Sequence, residues 1–342
     1  MLQRVLNKGL LHGSGLVKKA QQSFRNATRS REKPKITEMS LDDSRRISFG
    51  NNSAIPVNYL HRDKAFIEKD VEYAVQVGQN FTKRISENGI DLAGKTLLDL
   101  GPGTNFGSAL YLASLGARVM VADRFLAPWE DNYHYEFYAR LALWIKERLP
   151  HASTASLDRI VACHDYPDDA ILRYEATAED LSAIADGTID IVLSNAVLEH
   201  VMDPVICFKE LFRIMTSRGI QFHQVDFRDH KDFSFPLDFL LIGDIEYEKI
   251  FKDVNGERGN RWRPIEYEML MRQAGFSSIS FHPSCYAEDD YLKIFMAKLP
   301  QAFASKYQSF SINDLRETSG YYILKREMEW SGSMAQRAGG SE

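Results

Sequence analysis

The chain has 342 residues, of which 44% are hydrophobic, and a formal net charge of −5 at pH 7. This length suffices for one large α/β core with additions. The sequence has no run of about 18 or more apolar residues, so no membrane span is predicted. Its three cysteines lie far apart in sequence, which excludes a paired-cysteine zinc site and is typical of a reducing cytoplasm.

The first 45 residues form an extension, in which residues 1–35 carry nine Lys or Arg against one acidic residue. Three interpretations stay open: a basic amphipathic helix on an anionic membrane surface, a mitochondrial transit peptide, or a solvated arm. The expected location is cytoplasmic, with peripheral membrane contact through residues 1–35 under the first interpretation. Nucleic acid is not an expected partner, because the body of the chain is acidic and repels phosphate.

A helix is predicted over Asp63–Asn88, with Phe66, Val71, Ala74 and Val77 as its inner face. The next segment, Thr96–Asp123, has the pattern strand, glycine-rich turn, helix, strand, with a carboxylate at the end of the second strand. This pattern is one half of a doubly wound nucleotide-binding sheet. Ligands of such sheets lie beyond the carboxyl ends of the strands.

The details of the glycine-rich turn favour one ligand class over another. Gly101 and Gly103 permit a tight turn and a close ligand approach, and Asp123 is placed to accept hydrogen bonds from ribose hydroxyls. The spacing to Gly107 is one residue longer than in the dinucleotide fingerprint. Asp99 precedes the turn, where it is a poor neighbour for pyrophosphate but suits S-adenosylmethionine (SAM), which carries a sulfonium and an ammonium group.

Four motifs in this order resemble the class I SAM-dependent methyltransferases, specifically a bacterial subgroup with an L-D-L-G-x-G first motif. The matching segments are LLDLGPGTNFG, then VMVAD, then TAEDL (Thr177–Leu181) as the adenine-side loop, and SNAVLEHV with the helix MDPVICFKELFRIM. The resemblance covers roughly residues 60–300. It implies an α/β fold: a doubly wound, seven-stranded Rossmann-like sheet, with a helical N-terminal extension and a lid insertion before the last helix and strands.

The same resemblance implies SAM as the cofactor. The family often has Asp at the position of Thr177, so we expect the adenine contact to shift to Ala178, Glu179 or the backbone. The expected cofactor-binding residues are Asp99, Gly101, Pro102, Gly103, Thr104, Asp123, Arg124, Ala178, Glu179, Asn195 and Ala196.

A hydroxyl acceptor requires a base near the end of the fifth strand, which is predicted over Gly219–Val225. We expect His230, oriented by Asp226 or Asp229, to be this base, and His223 to be either catalytic or a core histidine. A hydrogen-bonded loop that only shapes the pocket is the alternative. No metal is expected, although a divalent ion held by His223, Asp226 and His230 stays open, because some sugar and catechol methyltransferases use one.

The insertion of about residues 227–263 is expected to select the acceptor. Asn260, Arg261 and Arg263 surround Trp262 and offer donors to an anionic sugar, a phosphate-bearing glycolipid or a carboxylate. A surface loop with solvated arginines is the alternative. The expected substrate-binding residues are His200, Tyr247, Asn260, Arg261 and Arg263, and His200 also belongs to the fourth-strand motif.

The predicted organisation is an extension (1–45), a methyltransferase domain (46–300), and a C-terminal helical segment with a disordered tail (301–342). Within the domain we expect a third strand over Leu172–Ala176, a helix over Pro264–Ala274, and strands near Ser277–His282 and Leu292–Ala297.

The predicted function is SAM-dependent O-methylation of a sugar or glycan-linked hydroxyl, since the insertion resembles that of bacterial surface-glycan methyltransferases. Two alternatives stay open. One is methylation of a small-molecule carboxylate, nitrogen or quinone-like lipid. The other is a non-catalytic SAM-binding partner protein, against which the intact cofactor motif argues.

Overall fold

The structure is a computed structural model that describes residues 62–326. The predictions for the basic arm (1–35) and for the tail from Ser331 concern residues outside this range, and they stay predictions. Within residues 62–326, no helix is long and apolar enough to cross a membrane.

A seven-stranded sheet forms the centre of the molecule, with the strand order β3-β2-β1-β4-β5-β7-β6. Strands β1 to β5 run parallel, whereas β7 is antiparallel to both β5 and β6. The predicted doubly wound Rossmann-like α/β fold is therefore confirmed. The strands are β1 (Thr96–Leu100), β2 (Arg118–Asp123), β3 (Leu172–Glu175), β4 (Ile189–Asn195), β5 (Met215–Asp226), β6 (Ser278–Tyr286) and β7 (Glu317–Lys325).

Helices cover both faces of this sheet, which explains why its central strands are continuous apolar runs. Leu97, Leu98 and Leu100 of β1 are all buried, although neighbouring side chains point to opposite faces. The helices are α1 (Ile67–Glu87), α2 (Gly107–Ser114), α3 (Glu136–Arg148), α4 (Ala155–Cys163), α5 (Pro204–Ile214), α6 (Asp244–Asp253), α7 (Pro264–Ala274), α8 (Asp289–Lys298) and the short α9 (Ile312–Leu315).

The first described helix, α1, lies where the sequence predicted it. Val71, Ala74 and Val77 are buried in the core on its inner face, while Phe66 immediately precedes the helix. Tyr73 of α1 accepts a hydrogen bond from Asn195 at the end of β4. The helix thus covers the edge of the sheet at which the parallel strands end.

The C-terminal part of the domain differs from the prediction. Residues 292–297 are not a strand but part of α8, in which Leu292 and Phe295 are buried at helical spacing. The predicted boundary at residue 300 is also wrong, because β7 is the second-last strand in the order of the sheet and pairs with both β5 and β6. Alternate residues of β7, such as Tyr322 and Leu324, are buried, as expected for an antiparallel strand with one face against the core.

Candidate active site

The turn after β1 lies at the carboxyl edge of the sheet and contacts the end of β2 and the loop after β4. Gly101 and Gly103 have positive φ angles of 68° and 81°, which favour glycine. Their amides donate to the Ala122 carbonyl at 2.8 Å and to Asp123 Oδ2 at 3.4 Å. A Cβ on Gly101 would lie 2.4 Å from Cγ2 of Val197, so this position has no room for a larger residue.

Two carboxylates lie beneath this turn. Ser108 Oγ donates to Asp99 Oδ2 at 3.1 Å, and the Phe125 amide donates to Asp123 Oδ1 at 2.8 Å. Burial raises the pKa of Asp99 to about 7, and repulsion by Asp123 contributes in the same direction. Burial likewise raises the pKa of Asp123 to about 6. A cationic ligand in this place would stabilise the ionised form of both groups.

Aromatic residues fix the outer part of the turn. Pro102 and Thr104 are partly exposed, and the Thr104 carbonyl lies 3.1 Å from Nε2 of His134. The Phe106 amide, at the start of α2, donates to the Tyr138 hydroxyl at 3.2 Å. The aromatic-rich segment before and within α3 is longer than a crossover requires, and it holds the glycine-rich turn in place.

The predicted adenine side of the site is formed by the loops after β2 and β3. Ala178 is buried, whereas Glu179 Oε1 accepts from the Met202 amide at 2.7 Å and so links the loops after β3 and β4. Arg124 donates to the Asn255 carbonyl at 2.9 Å, which ties the end of β2 to the insertion. Part of the hydrogen-bonding capacity of Glu179 and Arg124 therefore serves the structure itself.

The end of β4 has an unusual backbone conformation. Asn195 Nδ2 donates to the Tyr73 hydroxyl at 2.8 Å. Ala196 follows with a φ angle of 58°, and its amide donates to the Gln224 carbonyl at 2.9 Å. A residue other than glycine in the left-handed region costs roughly 1–3 kcal/mol, and such residues cluster at functional sites.

A cavity of about 340 Å³ opens beside Asn195, between α1 and the ends of β4 and β5. Its floor and walls combine amide, hydroxyl and guanidinium groups with aromatic rings. The guanidinium of Arg84 lies 4.0 Å above the Tyr321 ring, which fixes its direction. The polar lining includes Tyr73, Gln76, Asn80, Arg84, Asn195 and Gln224.

His223 does not face the site, so its assignment as a catalytic candidate is corrected. The residue is fully buried within β5. Ser194 Oγ lies 2.8 Å from Nδ1, and Gln221 Oε1 lies 2.8 Å from Nε2. Burial lowers the pKa of His223 to about 3. With both ring nitrogens occupied, His223 is a core histidine.

The carboxylates expected to orient His230 have other partners. Asp226 Oδ2 is paired with Arg228 at 2.5 Å and lies 3.8 Å from Nε2 of His230, beyond hydrogen-bond distance. Both oxygens of Asp229 accept from Arg258, at 2.9 and 2.7 Å. Neither aspartate hydrogen-bonds the His230 ring in this structure, and the predicted His–Asp pair is corrected accordingly.

A third carboxylate, Glu199, lies beside His200 and His230, and we call these three residues the Glu–His cluster. Their ligating atoms all lie within 4.8 Å of one another. Burial raises the pKa of Glu199 to about 8 and lowers the pKa of both imidazoles. The prediction from sequence included both histidines but not Glu199. The usable signal was an acidic residue that directly follows the buried Leu198 and lies near the ends of β4 and β5.

The arginines of the insertion serve its internal structure. Arg263 is fully buried, and its guanidinium donates to the carbonyls of Phe227 at 2.8 Å, Leu315 at 2.9 Å and Glu317. This arrangement joins the end of β5 to the start of β7. The prediction that Arg263 binds the acceptor is therefore wrong, because its side chain faces the interior.

Three further predicted substrate residues are also used internally. Arg261 is buried and donates to Asp244 Oδ1 at 2.7 Å. Asn260 Nδ2 donates to the Leu198 carbonyl at 2.8 Å, and the Tyr247 hydroxyl donates to a carbonyl of the same loop at 2.6 Å. These contacts hold the insertion against the loop after β4. Of the five predicted substrate residues, only His200 belongs to the Glu–His cluster, in which Glu199 Oε2 and His230 Nε2 have no hydrogen-bond partner.

We predict that Arg263→Ala lowers the free energy of unfolding by about 3 kcal/mol or more, because three carbonyls lose their donor in a buried region. The matched control is Arg272→Ala on the surface of α7, where the ion pair with Glu268 is exposed. This control should change stability by less than about 0.5 kcal/mol. Urea denaturation of both variants measures the difference. An Arg263→Ala protein as stable as the wild type would contradict the internal role.

Comparison with known proteins gives one family match and several similar structures. Residues 147–222 match the family model described as a methyltransferase domain. No curated protein sequence matches the chain. Solved structures of similar fold include phosphoethanolamine N-methyltransferase 2 from Haemonchus contortus, in complex with phosphomonomethylethanolamine and S-adenosylhomocysteine (14% identity, TM-score 0.42, 73% of this chain). This chain spans about half (52%) of the length of that enzyme.

A second similar structure is a protein from Galdieria sulphuraria assigned as a sarcosine dimethylglycine methyltransferase. It is 14% identical with a TM-score of 0.43, and the alignment covers 78% of this chain and 93% of that one.

Proposed function

We propose that this chain, a class I SAM-dependent methyltransferase, methylates a hydroxyl group of a sugar or glycan-linked acceptor. The observation that carries the cofactor assignment is the pair of carboxylates under the Gly101–Gly103 turn, of which Asp99 is buried and Asp123, which accepts from the Gly103 amide, is partly exposed. In this proposal Asp123 binds the ribose hydroxyls. Asp99 offers a buried negative charge to the cationic part of SAM.

The cavity beside Asn195 is the site that we assign to the acceptor. Its volume of about 340 Å³ lies at the lower end of the range for small-molecule sites, roughly 300–1,000 Å³, and suits one sugar unit. The amides of Gln76, Asn80 and Gln224 can donate to and accept from hydroxyl groups. None of the described residues that line the cavity is acidic. This composition favours a polyhydroxyl acceptor over an amine.

Methyl transfer to a hydroxyl breaks the bond between sulfur and the methyl carbon, forms a bond from carbon to oxygen, and releases the hydroxyl proton. Alignment of the two reactants can supply several kcal/mol of the barrier reduction, while the proton needs an acceptor group. We assign this role to the Glu–His cluster, because His230 Nε2 and Glu199 Oε2 are buried there without hydrogen-bond partners.

The first prediction concerns cofactor identity. The protein should bind SAM and S-adenosylhomocysteine and have no measurable affinity for NAD. Asp123→Ala should weaken SAM binding by roughly 1–3 kcal/mol, since it removes charge-assisted hydrogen bonds to ribose. Asp91→Ala, an exposed aspartate before β1, is the control. Tight NAD binding, or unchanged SAM affinity of Asp123→Ala in calorimetry, would contradict the assignment.

The second prediction concerns the pH dependence of binding. Burial raises the pKa of Asp99 to about 7, so its carboxyl group is largely neutral at lower pH. Only the ionised form attracts a cation, and SAM affinity should therefore rise with pH, by up to about tenfold per unit below pH 7. Asp99→Asn should reduce this dependence to the smaller part contributed by Asp123, whose pKa burial raises to about 6. Wild-type affinity that is constant between about pH 5.5 and 8 would contradict the role of Asp99.

The third prediction concerns turnover and the acceptor. With methyl-labelled SAM and cell-envelope extract, label should enter a water-soluble or glycolipid product that survives mild base, as an ether does and an ester does not. His230→Ala should reduce this incorporation by about two to four orders of magnitude, with SAM affinity near that of the wild type. His164→Ala, an exposed histidine beside Asp131, is the control.

Different products identify the alternatives. Base-labile label would indicate a carboxylate acceptor, and label that partitions as a cation would indicate a nitrogen acceptor. SAM binding without transfer to any fraction would support a non-catalytic partner protein. Each of these results would overturn methylation of a hydroxyl group.

A further inference from the structure

Two buried ligating atoms of the Glu–His cluster have no hydrogen-bond partner. They are Oε2 of Glu199, a residue only 2% exposed, and Nε2 of His230. Among residues 62–326, the other buried side-chain atoms without a partner all belong to arginines. Buried polar atoms nearly always have a hydrogen-bond partner. A neighbouring carboxylate oxygen and imidazole nitrogen that both lack one therefore indicate that a ligand binds between them.

The surroundings hold each of the three side chains in a fixed orientation. Glu199 uses its other oxygen, Oε1, to accept from the Asp226 amide at 3.1 Å. The His200 ring lies with Nδ1 at 2.9 Å from the Gly256 carbonyl, and the His230 ring packs against the rings of His200 and Phe233, with centroid distances of 5.0 and 5.6 Å. Since a carbonyl accepts from Nδ1 of His200, its Nε2 carries the lone pair.

The loop that carries this supporting carbonyl is itself tightly packed. Gly256 has a φ angle of 81°, and a Cβ at this position would lie 2.7 Å from the His200 carbonyl oxygen. Carbonyls that orient imidazole rings through the second nitrogen are the usual support of metal-ligating histidines. The Glu–His cluster therefore has both the ligand atoms and the outer hydrogen bonds of such a site.

We propose that Glu199, His200 and His230 bind one divalent transition-metal ion. An ion with bonds of about 2.0–2.2 Å fits between ligating atoms that lie within 4.8 Å of one another, after small side-chain rotations. Two imidazoles and one carboxylate favour zinc, manganese, cobalt or ferrous iron over magnesium or calcium, which prefer oxygen ligands. Three protein ligands leave at least one coordination position for water or an acceptor oxygen.

This set differs from the one considered from sequence. His223 is held in the core by Ser194 and Gln221, and Asp226 is paired with Arg228. Only His230 is common to both sets. Glu199 and His200 replace the other two members because the loop after β4 lies directly against the end of β5, where Glu199 bonds the Asp226 amide.

The role of the ion in catalysis rests on the proposed function. An acceptor hydroxyl bound to the ion is more acidic than a free hydroxyl, so its proton is released more readily before or during attack on the methyl group. In the metal-loaded protein, His230 would act as a ligand rather than as a base, and the proton of the acidified hydroxyl would pass to solvent water.

The test uses the full chain without an affinity tag, stripped with a chelator and titrated with Co²⁺. We expect one Co²⁺ per chain, a visible absorption spectrum of nitrogen and oxygen ligation, and displacement by Zn²⁺. Glu199→Gln, His200→Asn and His230→Asn should each weaken binding by about 100-fold or more. His164→Asn, which alters an exposed histidine beside a carboxylate, should bind as the wild type does. SAM affinity and circular dichroism verify that each variant is folded.

The outcomes separate the two proposals. A folded wild-type protein that binds neither Co²⁺ nor Zn²⁺, or cluster variants that bind as tightly as the wild type, would overturn the metal site. If His230→Ala still abolished turnover in that case, O-methylation would stand with His230 as a direct base. Metal binding that depends on the three residues supports the site even if no hydroxyl acceptor is methylated, a result that would overturn only the proposed function.

Discussion

The structure depends on the close contact of the glycine-rich turn with the loop after β4. Gly101 leaves no room for a side chain against Val197, and its amide is bonded to the end of β2. This contact joins the carboxyl ends of three parallel strands within one small region. Asp99 is thereby buried next to the partly exposed Asp123, and the pKa of both carboxyl groups is raised, so a cationic ligand would stabilise their ionised forms.

The insertion after β5 completes the site through its backbone rather than through its charged side chains. Arg261 and Arg263 are buried and bond to carbonyls and to Asp244, which fixes the path of the loop. The loop in turn presents the carbonyl of Gly256 to His200. Buried arginines that satisfy several carbonyls stabilise the irregular parts of the insertion on either side of α6. These parts determine how the Glu–His cluster is arranged.

The sequence predicted the first half of the sheet well because its signals are local. The apolar run of β1, the glycines and the acid at the end of β2 lie within one short segment, and the Pro264–Ala274 helix has both predicted bounds. The run at 292–297 was misassigned because a short apolar segment fits a strand or a helix equally well. Strand β7 was missed, although its alternation is clear once its neighbours are known.

The site was less predictable, since its geometry depends on contacts distant in sequence. The carbonyls that occupy Arg263 lie 36 to 54 residues away, so the sequence pattern could not distinguish a buried arginine from a substrate ligand. The sequence pattern could not distinguish His223 from His230 either, because both lie near the end of β5. His223 is buried within the strand, whereas His230 lies in the loop beyond it, at the edge of the sheet. Glu199 belongs to the site only because residues 226–230 pack against it in the fold: the Asp226 amide donates to it and His230 lies beside it.

We infer that the carboxyl edge of the sheet holds SAM over the carboxylates of Asp99 and Asp123. A crystal structure of the full chain grown with S-adenosylhomocysteine would show whether this is so. We expect the ribose hydroxyls within hydrogen-bond distance of Asp123, and the amino-acid portion of the ligand on the Gly101–Gly103 turn facing Asp99. A ligand bound away from this turn, with no contact to Asp99 or Asp123, would refute this binding mode.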